Sequence, residues 1–166
     1  MKLAFIGMMG SGKTTISKVV SDLLSLKYFS IDEEIEKNNK KTITDIFKEE
    51  GEAYFRNEEL LTISRLAKKN DAVIDCGGGI ILNPKNIEIL KENGFIVLFL
   101  NRDIDAIFED IDSNTRPLLK ENPEKLFEIY NHRIEKYRTY SDYIIDNDGT
   151  IDKVAKSIKN LVLSLK

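Results

Sequence analysis

The sequence predicts an α/β fold, a three-layer arrangement in which a five-stranded parallel sheet is flanked by helices. Two features carry that prediction. Short runs that are apolar throughout, as strands covered on both faces must be, alternate with stretches whose apolar residues recur at helical spacing. Glycine clusters end the first and third of those runs, at the carboxyl side of the sheet, where ligands bind in this architecture.

Leu3-Ala4-Phe5-Ile6 forms the first strand, continuously apolar and stopped at once by glycine. From Lys13 to Leu26 the residues Ile16, Val19, Val20, Leu23 and Leu24 fall on one helical face, so the glycine loop opens a helix. A short strand around Tyr28 and Phe29 leads into a charged helical stretch from Glu33 to Arg65, whose Glu and Lys residues form a solvated face. Ala72-Val73-Ile74 is the third strand, followed by Asp75 and the triple glycine Gly77-Gly78-Gly79. A helical segment starts after Pro84, and Phe95 to Leu100 is the fourth strand. The last strand, Tyr143-Ile144-Ile145, precedes a terminal helix with Val154, Ile158, Leu161 and Val162 on one face.

A chain of 166 residues, 42% of them hydrophobic, has the size and apolar content of one compact domain, expected over 1–166. A formal net charge of −3 argues against a polyanion-binding face, so neither DNA nor RNA is an expected partner. No apolar run approaches the roughly 20 residues of a membrane span. The apolar start from Leu3 to Met9 runs into glycines and Lys13, unlike a secretory signal. The single cysteine, Cys76, cannot form an internal disulfide, which fits a reducing compartment and a cytoplasmic protein. Arg56, Arg65, Arg102, Arg116, Arg133 and Arg138 are the only arginines among 25 basic residues. Because guanidinium is the better bidentate ligand for phosphate or carboxylate, each is a candidate ligand.

Gly7-Met8-Met9-Gly10-Ser11-Gly12-Lys13-Thr14 fits G-x-x-x-x-G-K-[ST] at every fixed position, after a strand and opening a helix as that phosphate loop requires. Its glycines let backbone N–H groups turn around a phosphate, and the helix N-terminus adds its positive dipole end. Lys13 is expected on the β- and γ-phosphates and the Thr14 hydroxyl on Mg2+. Gly10, Ser11, Gly12, Lys13, Thr14 and Thr15 are the expected ATP contacts. The competing reading, a tight glycine turn, needs an accidental match in the right context. The loop identifies a nucleoside triphosphate site without saying what is done there.

Further patterns follow in order. They are Phe29-Ser30-Ile31-Asp32-Glu33-Glu34-Ile35-Glu36, then Phe55-Arg56-Asn57-Glu58-Glu59, then the triple glycine, then Arg116-Pro117-Leu118-Leu119, and Arg133 with Tyr137. Together they resemble the shikimate kinase family, with its D-x-D-x-x-I-E, F-R-x-x-E, R-P-L-L and R-x-x-x-Y patterns. The loop Gly-Met-Met-Gly-Ser-Gly-Lys-Thr is similar to that family's G-x-M-G-x-G-K.

The resemblance implies a P-loop kinase fold with a small substrate-binding segment at about 31–60 and a lid at about 109–122. It implies a monomer that transfers a phosphoryl group from ATP, with Mg2+, to the 3-hydroxyl of shikimate. Lys13, Asp32 and Arg116 then form the catalytic set. Asp32 would orient the acceptor hydroxyl or take its proton, while Lys13 and Arg116, the latter also on ATP, would stabilise developing charge. Asp32, Arg56, Gly77, Gly78, Gly79 and Arg133 are the expected shikimate contacts, the two arginines on its carboxylate. Local chemistry leaves competing readings open: a helix N-cap for Asp32, surface ion pairs for the arginines, a flexible turn for the glycines and an ordinary loop for Arg116.

The chain departs from the family in two places. Ser30 replaces the first aspartate of D-x-D, which in the family helps to hold Mg2+. Asp75, at the end of the third strand, stands where a Walker-B-type acid sits, so Thr14 and Asp75 are the expected metal residues, with a turn cap as the alternative for Asp75. Near the lid, Glu109 stands in place of an arginine that packs on adenine. His132 reads as a surface residue and Cys76 as a small buried one next to the site, a possible inhibitory thiol, and no ligand spacing suggests zinc. Two other functions fit the loop alone: a related kinase acting on gluconate or a nucleoside monophosphate, and a non-catalytic nucleotide switch.

Overall fold

The computed structural model describes residues 1–110 and 122–165, the Pro123 side chain excepted. Five strands, β1 (Lys2–Ile6), β2 (Lys27–Ser30), β3 (Ala72–Asp75), β4 (Ile96–Asn101) and β5 (Tyr143–Asp146), form one sheet in the order β2-β3-β1-β4-β5. Every neighbouring pair is parallel. The helices are α1 (Lys13–Leu24), α2 (Ile31–Asn39), α3 (Ile43–Glu49), α4 (Glu52–Leu66), α5 (Pro84–Glu92), α6 (Ile104–Asp110), α7 (Pro123–Tyr140) and α8 (Ile151–Ser164).

The two-residue period of a strand explains the continuous apolar runs. Leu3 and Phe5 of β1, with Val73 and Leu98 beside them, pack on Ile16 and Val20 of α1 and on Val154, Ile158 and Val162 of α8. Ala4 and Ile6 face the other way, with Ile74, Val97 and Phe99, into a second core that reaches Ile35, Ile63, Leu90 and Tyr137. Each such fully buried Ile, Leu or Phe contributes roughly 1.5–3 kcal/mol by leaving water, so a charge at Phe5 would break one layer outright. Leu161 is only half-buried, and Ala155 shares the buried face in its place.

The charged stretch is helical as expected, but it is three helices rather than one. Lys40 closes α2 at φ 53. Thr42 caps α3, its side chain accepting from Asp45 N–H, and Gly51, at φ 86, precedes α4. Two helices, α6 and α7, lie outside the expected elements. In α7, Leu126, Ile129, Tyr130, Ile134 and Tyr137 recur at helical spacing on the face that enters the second core, a stripe broken up in the sequence by the charged residues between them. Among the described residues, no helix is long and apolar enough to cross a membrane.

Candidate active site

The phosphate loop turns from β1 into α1. Gly12 has φ 90, and a β-carbon there would come within 2.7 Å of Asn147 Nδ2, so glycine is required on two counts. Lys13 lies across the loop, its Nζ donating to the carbonyls of Gly7 at 2.9 Å and Met8 at 2.8 Å. Thr14 Oγ1 donates to Asp75 Oδ2 at 2.6 Å, and Tyr28 Oη donates to the same oxygen at 3.3 Å. Gly10, Gly12, Lys13, Thr14 and Thr15 line a cavity of about 420 Å3 that ends on Asp32 and Asp75. Ser11 itself is buried, with Oγ unpaired among the described residues.

Asp75 and Ser30 are register partners on β3 and β2, so the carboxylate stands one strand away from the serine that replaces the expected aspartate. Burial pushes the Asp75 carboxyl above the usual range, while Lys13 and the hydrogen bonds from Thr14 and Tyr28 pull it back. No group of three or more His, Cys, Asp or Glu residues that could cage a metal occurs among the described residues. A hydroxyl beside one buried carboxylate nevertheless suits Mg2+, which keeps waters and shares its coordination with phosphates.

The cap of α2 decides the local reading of Asp32. Ser30 is the N-cap, its hydroxyl accepting from Glu33 N–H at 3.3 Å, so Asp32 in the first turn is free for another task. Its Oδ1 is buried and has no hydrogen-bond partner among the described residues. Burial raises its pKa, the Asp75 charge raises it further, and Lys13 opposes both. An unpaired buried acceptor of raised basicity is suited to a hydroxyl donor from a ligand.

Asp32 also borders a second cavity, of about 240 Å3, together with Arg56, Arg133 and all three glycines of Gly77-Gly78-Gly79. The structure thus brings together every sequence-predicted acceptor residue. Arg56 is held by Glu59 at 2.8 Å and Glu52 at 3.2 Å, and a β-carbon on Gly79 would strike its guanidinium. Glu59 is 1% exposed, burial raising its pKa against the pull of Arg56. Arg133 Nη1 lies 3.6 Å from the β-carbon position of Gly78, whose carbonyl accepts from Tyr137 Oη at 2.5 Å.

Ile43 and the tilted ring pair Phe47 and Phe55, 4.7 Å apart, give this cavity an apolar wall. Sequence reasoning assigned no role to Ile43, Phe47 or Glu59. The available signal was apolar and aromatic residues interrupting a charged helical stretch and, for Glu59, its place in the F-R-x-x-E pattern. Arg116 and most of the expected lid lie outside the described residues. His132 is exposed, and Cys76 is fully buried with its thiol pKa pushed well up, which removes the thiolate a reactive cysteine needs.

A phosphate loop at a helix N-terminus, with a hydroxyl and an acid at its floor, on a sheet of this order defines a P-loop kinase. Comparison with known proteins narrows the class. The family model described as shikimate kinase matches residues 9–163. A shikimate kinase of Clostridium beijerinckii is 43% identical, the match covering 98% of this chain and 95% of that protein. Among solved structures, shikimate kinase from Acinetobacter baumannii in complex with shikimate superimposes with a TM-score of 0.91 at 35% identity, covering 99% of this chain and 94% of that one. Shikimate kinase from Aquifex aeolicus gives a TM-score of 0.86 at 31% identity, covering 99% and 96%. The chain belongs to the shikimate kinase family and is an ATP-dependent kinase.

Proposed function

We propose that this protein transfers the γ-phosphoryl group of ATP to the 3-hydroxyl of shikimate, giving ADP and shikimate 3-phosphate. One observation carries the assignment of sites: the phosphate cavity and the arginine-lined cavity meet, and Met9, Asp32, Gly77 and Gly78 line both. An acceptor held in the second cavity therefore presents its hydroxyl to a phosphate held in the first, with the unpaired Asp32 oxygen at the junction. Arg56 and Arg133 take its carboxylate, which planar guanidinium groups bind bidentately, and Ile43, Phe47 and Phe55 cover its ring.

In the transfer an acceptor oxygen–phosphorus bond forms and the bond from the γ-phosphorus to the β,γ-bridging oxygen breaks. The hydroxyl proton passes to Asp32, or leaves late after Asp32 has oriented it, since a loose transition state needs little early proton removal. Lys13 and the loop amides meet the developing negative charge, with Arg116 supplying a further cation. Thr14 and Asp75 are the residues that would hold Mg2+, which neutralises phosphate charge when bound. The same reading takes a single chain as the acting unit and the cytoplasm as its setting, with neither nucleic acid nor membrane involved.

The test is ADP release from MgATP with shikimate, gluconate and nucleoside monophosphates as parallel acceptors. Shikimate-dependent release is the expected result. Turnover with another acceptor, or ATP binding with no acceptor-dependent turnover, overturns the assignment.

A further inference from the structure

We propose that Asn147 and Arg102 are positioning residues for the phosphate loop, holding two successive loop carbonyls from outside the phosphate cavity. The inference deepens the kinase reading above and rests on it. Asn147 Nδ2 donates to the Ser11 carbonyl at 2.8 Å, and Arg102 Nη1 donates to the Gly10 carbonyl at 3.2 Å. In a trans peptide the N–H points opposite to the C=O. Fixing Ser11 O therefore fixes the direction of Gly12 N–H, and fixing Gly10 O fixes that of Ser11 N–H, which donates to the Met8 carbonyl at 3.2 Å and closes the turn of the loop.

Neither side chain borders the phosphate cavity, whereas Gly10 and Gly12 do. Asn147 and Arg102 lie beside the loop, lining a groove with Gly12, Thr15 and Gly149 and a cavity of about 380 Å3 with Asn101, Asp103 and Tyr130. A loop amide aimed at phosphate contributes only while its peptide stays oriented, and glycine peptides are the ones with most freedom to rotate. The clamp limits that freedom.

The clamp is itself anchored. Asn147 N–H donates to the Asn101 carbonyl at 2.7 Å, joining the ends of β4 and β5. The guanidinium of Arg102 also pairs with Asp110, at the end of α6. Loop peptides are thus referred to the sheet on one side and to the helix before residues 111–121 on the other. The missing β-carbon of Gly12 leaves the space Asn147 Nδ2 occupies, so glycine and asparagine are fitted to one another.

Inorganic tripolyphosphate separates this role from contact with the nucleoside, because it carries the phosphates alone. Its inhibition constant against MgATP is measured for the unaltered protein and for Asn147→Asp, Asn147→Ala, Arg102→Ala and Arg102→Lys, beside the KM for ATP and for shikimate. Asn147→Asp keeps the shape and sets an acceptor against Ser11 O. It should weaken tripolyphosphate and ATP alike, by about tenfold or more, and Asn147→Ala by roughly three- to tenfold, the range of one lost hydrogen bond. Arg102→Lys, which retains a donor, should recover part of the loss in Arg102→Ala, with the KM for shikimate within about twofold throughout.

Weakened ATP with unchanged tripolyphosphate would overturn the proposal in favour of a nucleoside contact. A parallel loss of thermal midpoint and shikimate KM would overturn it in favour of a general structural role. Tripolyphosphate inhibition concerns the donor site alone and can be read with whichever acceptor turns over, so failure of shikimate as acceptor and failure of the clamp are separate results.

Discussion

Asp75 and Ser30 face each other across the β2–β3 ladder, and Asp75, not Ser30, receives the Thr14 hydroxyl. The acid at the floor of the phosphate loop thus stands on β3, one strand away from Ser30 on β2. Asp75→Ala should lower turnover by about a hundredfold and raise the Mg2+ concentration needed for half-maximal rate, as loss of a metal-side carboxylate does. Restoring an acid at the register partner, in Ser30→Asp combined with Asp75→Ala, should recover part of both. Titration of ADP release with Mg2+ checks this, and normal Mg2+ dependence in Asp75→Ala would sink the assignment.

The buried Asp32 carboxyl has a raised pKa, from burial first and Asp75 second. The ionised form is the one that accepts a hydroxyl proton, so activity should fall as pH drops through a value above the ordinary carboxylate range of about 4. Asp32→Asn should remove that acid limb and most of the turnover while leaving the ATP dissociation constant nearly unchanged. Stability moves the opposite way. A folded-state pKa above the unfolded one means that the charged form is disfavoured in the fold, a cost absent at low pH that grows as pH rises from the unfolded to the folded pKa. Asp32→Asn should therefore raise the thermal midpoint at neutral pH, measured by calorimetry beside the kinetics.

How much was legible in the sequence depends on how local each cause is. The phosphate loop was fully legible, because backbone geometry, lysine and hydroxyl are demanded within eight consecutive positions. Asp32 was ambiguous, since a cap and a site residue use the same chemistry; Ser30, two residues earlier, turned out to be the cap. The breaks at Lys40 and Gly51 were missed because a charged stretch hides its own boundaries. Glu59 stands in the F-R-x-x-E pattern and Arg102 among the six candidate arginines, but what they hold, as with Phe47 and Asn147, follows only from the groups they meet in space. Asn147 reaches Ser11 across 136 positions, a relation no spacing rule records.

Arg56 is divided between Glu59, Glu52 and the open cavity. Arg56→Lys keeps the charge but cannot hold Glu59 and a carboxylate with one fork, so the KM for shikimate should rise by about ten- to a hundredfold. The KM for ATP should stay within about twofold. Glu59→Gln should give a smaller rise of the same kind by loosening the guanidinium. Steady-state kinetics with each substrate varied separately distinguishes this from a general loss of activity, which would change both constants.

The triple glycine offers a prediction graded along three consecutive positions. A β-carbon at Gly79 would collide with the Arg56 guanidinium, one at Gly77 would press on Asp32 Oδ1 at 3.0 Å, and one at Gly78 would meet Met9 N at 3.3 Å. None of the three has positive φ, so alanine acts here through space and not through backbone strain. Gly79→Ala should chiefly raise the KM for shikimate, because the displaced arginine belongs to the carboxylate end. Gly77→Ala should chiefly lower kcat, because the displaced oxygen belongs to the reacting hydroxyl. Gly78→Ala, pressing on the phosphate loop, should also weaken ATP. Kinetics of the three variants that showed one shared pattern, instead of this split, would mean that the glycines serve only as a flexible turn.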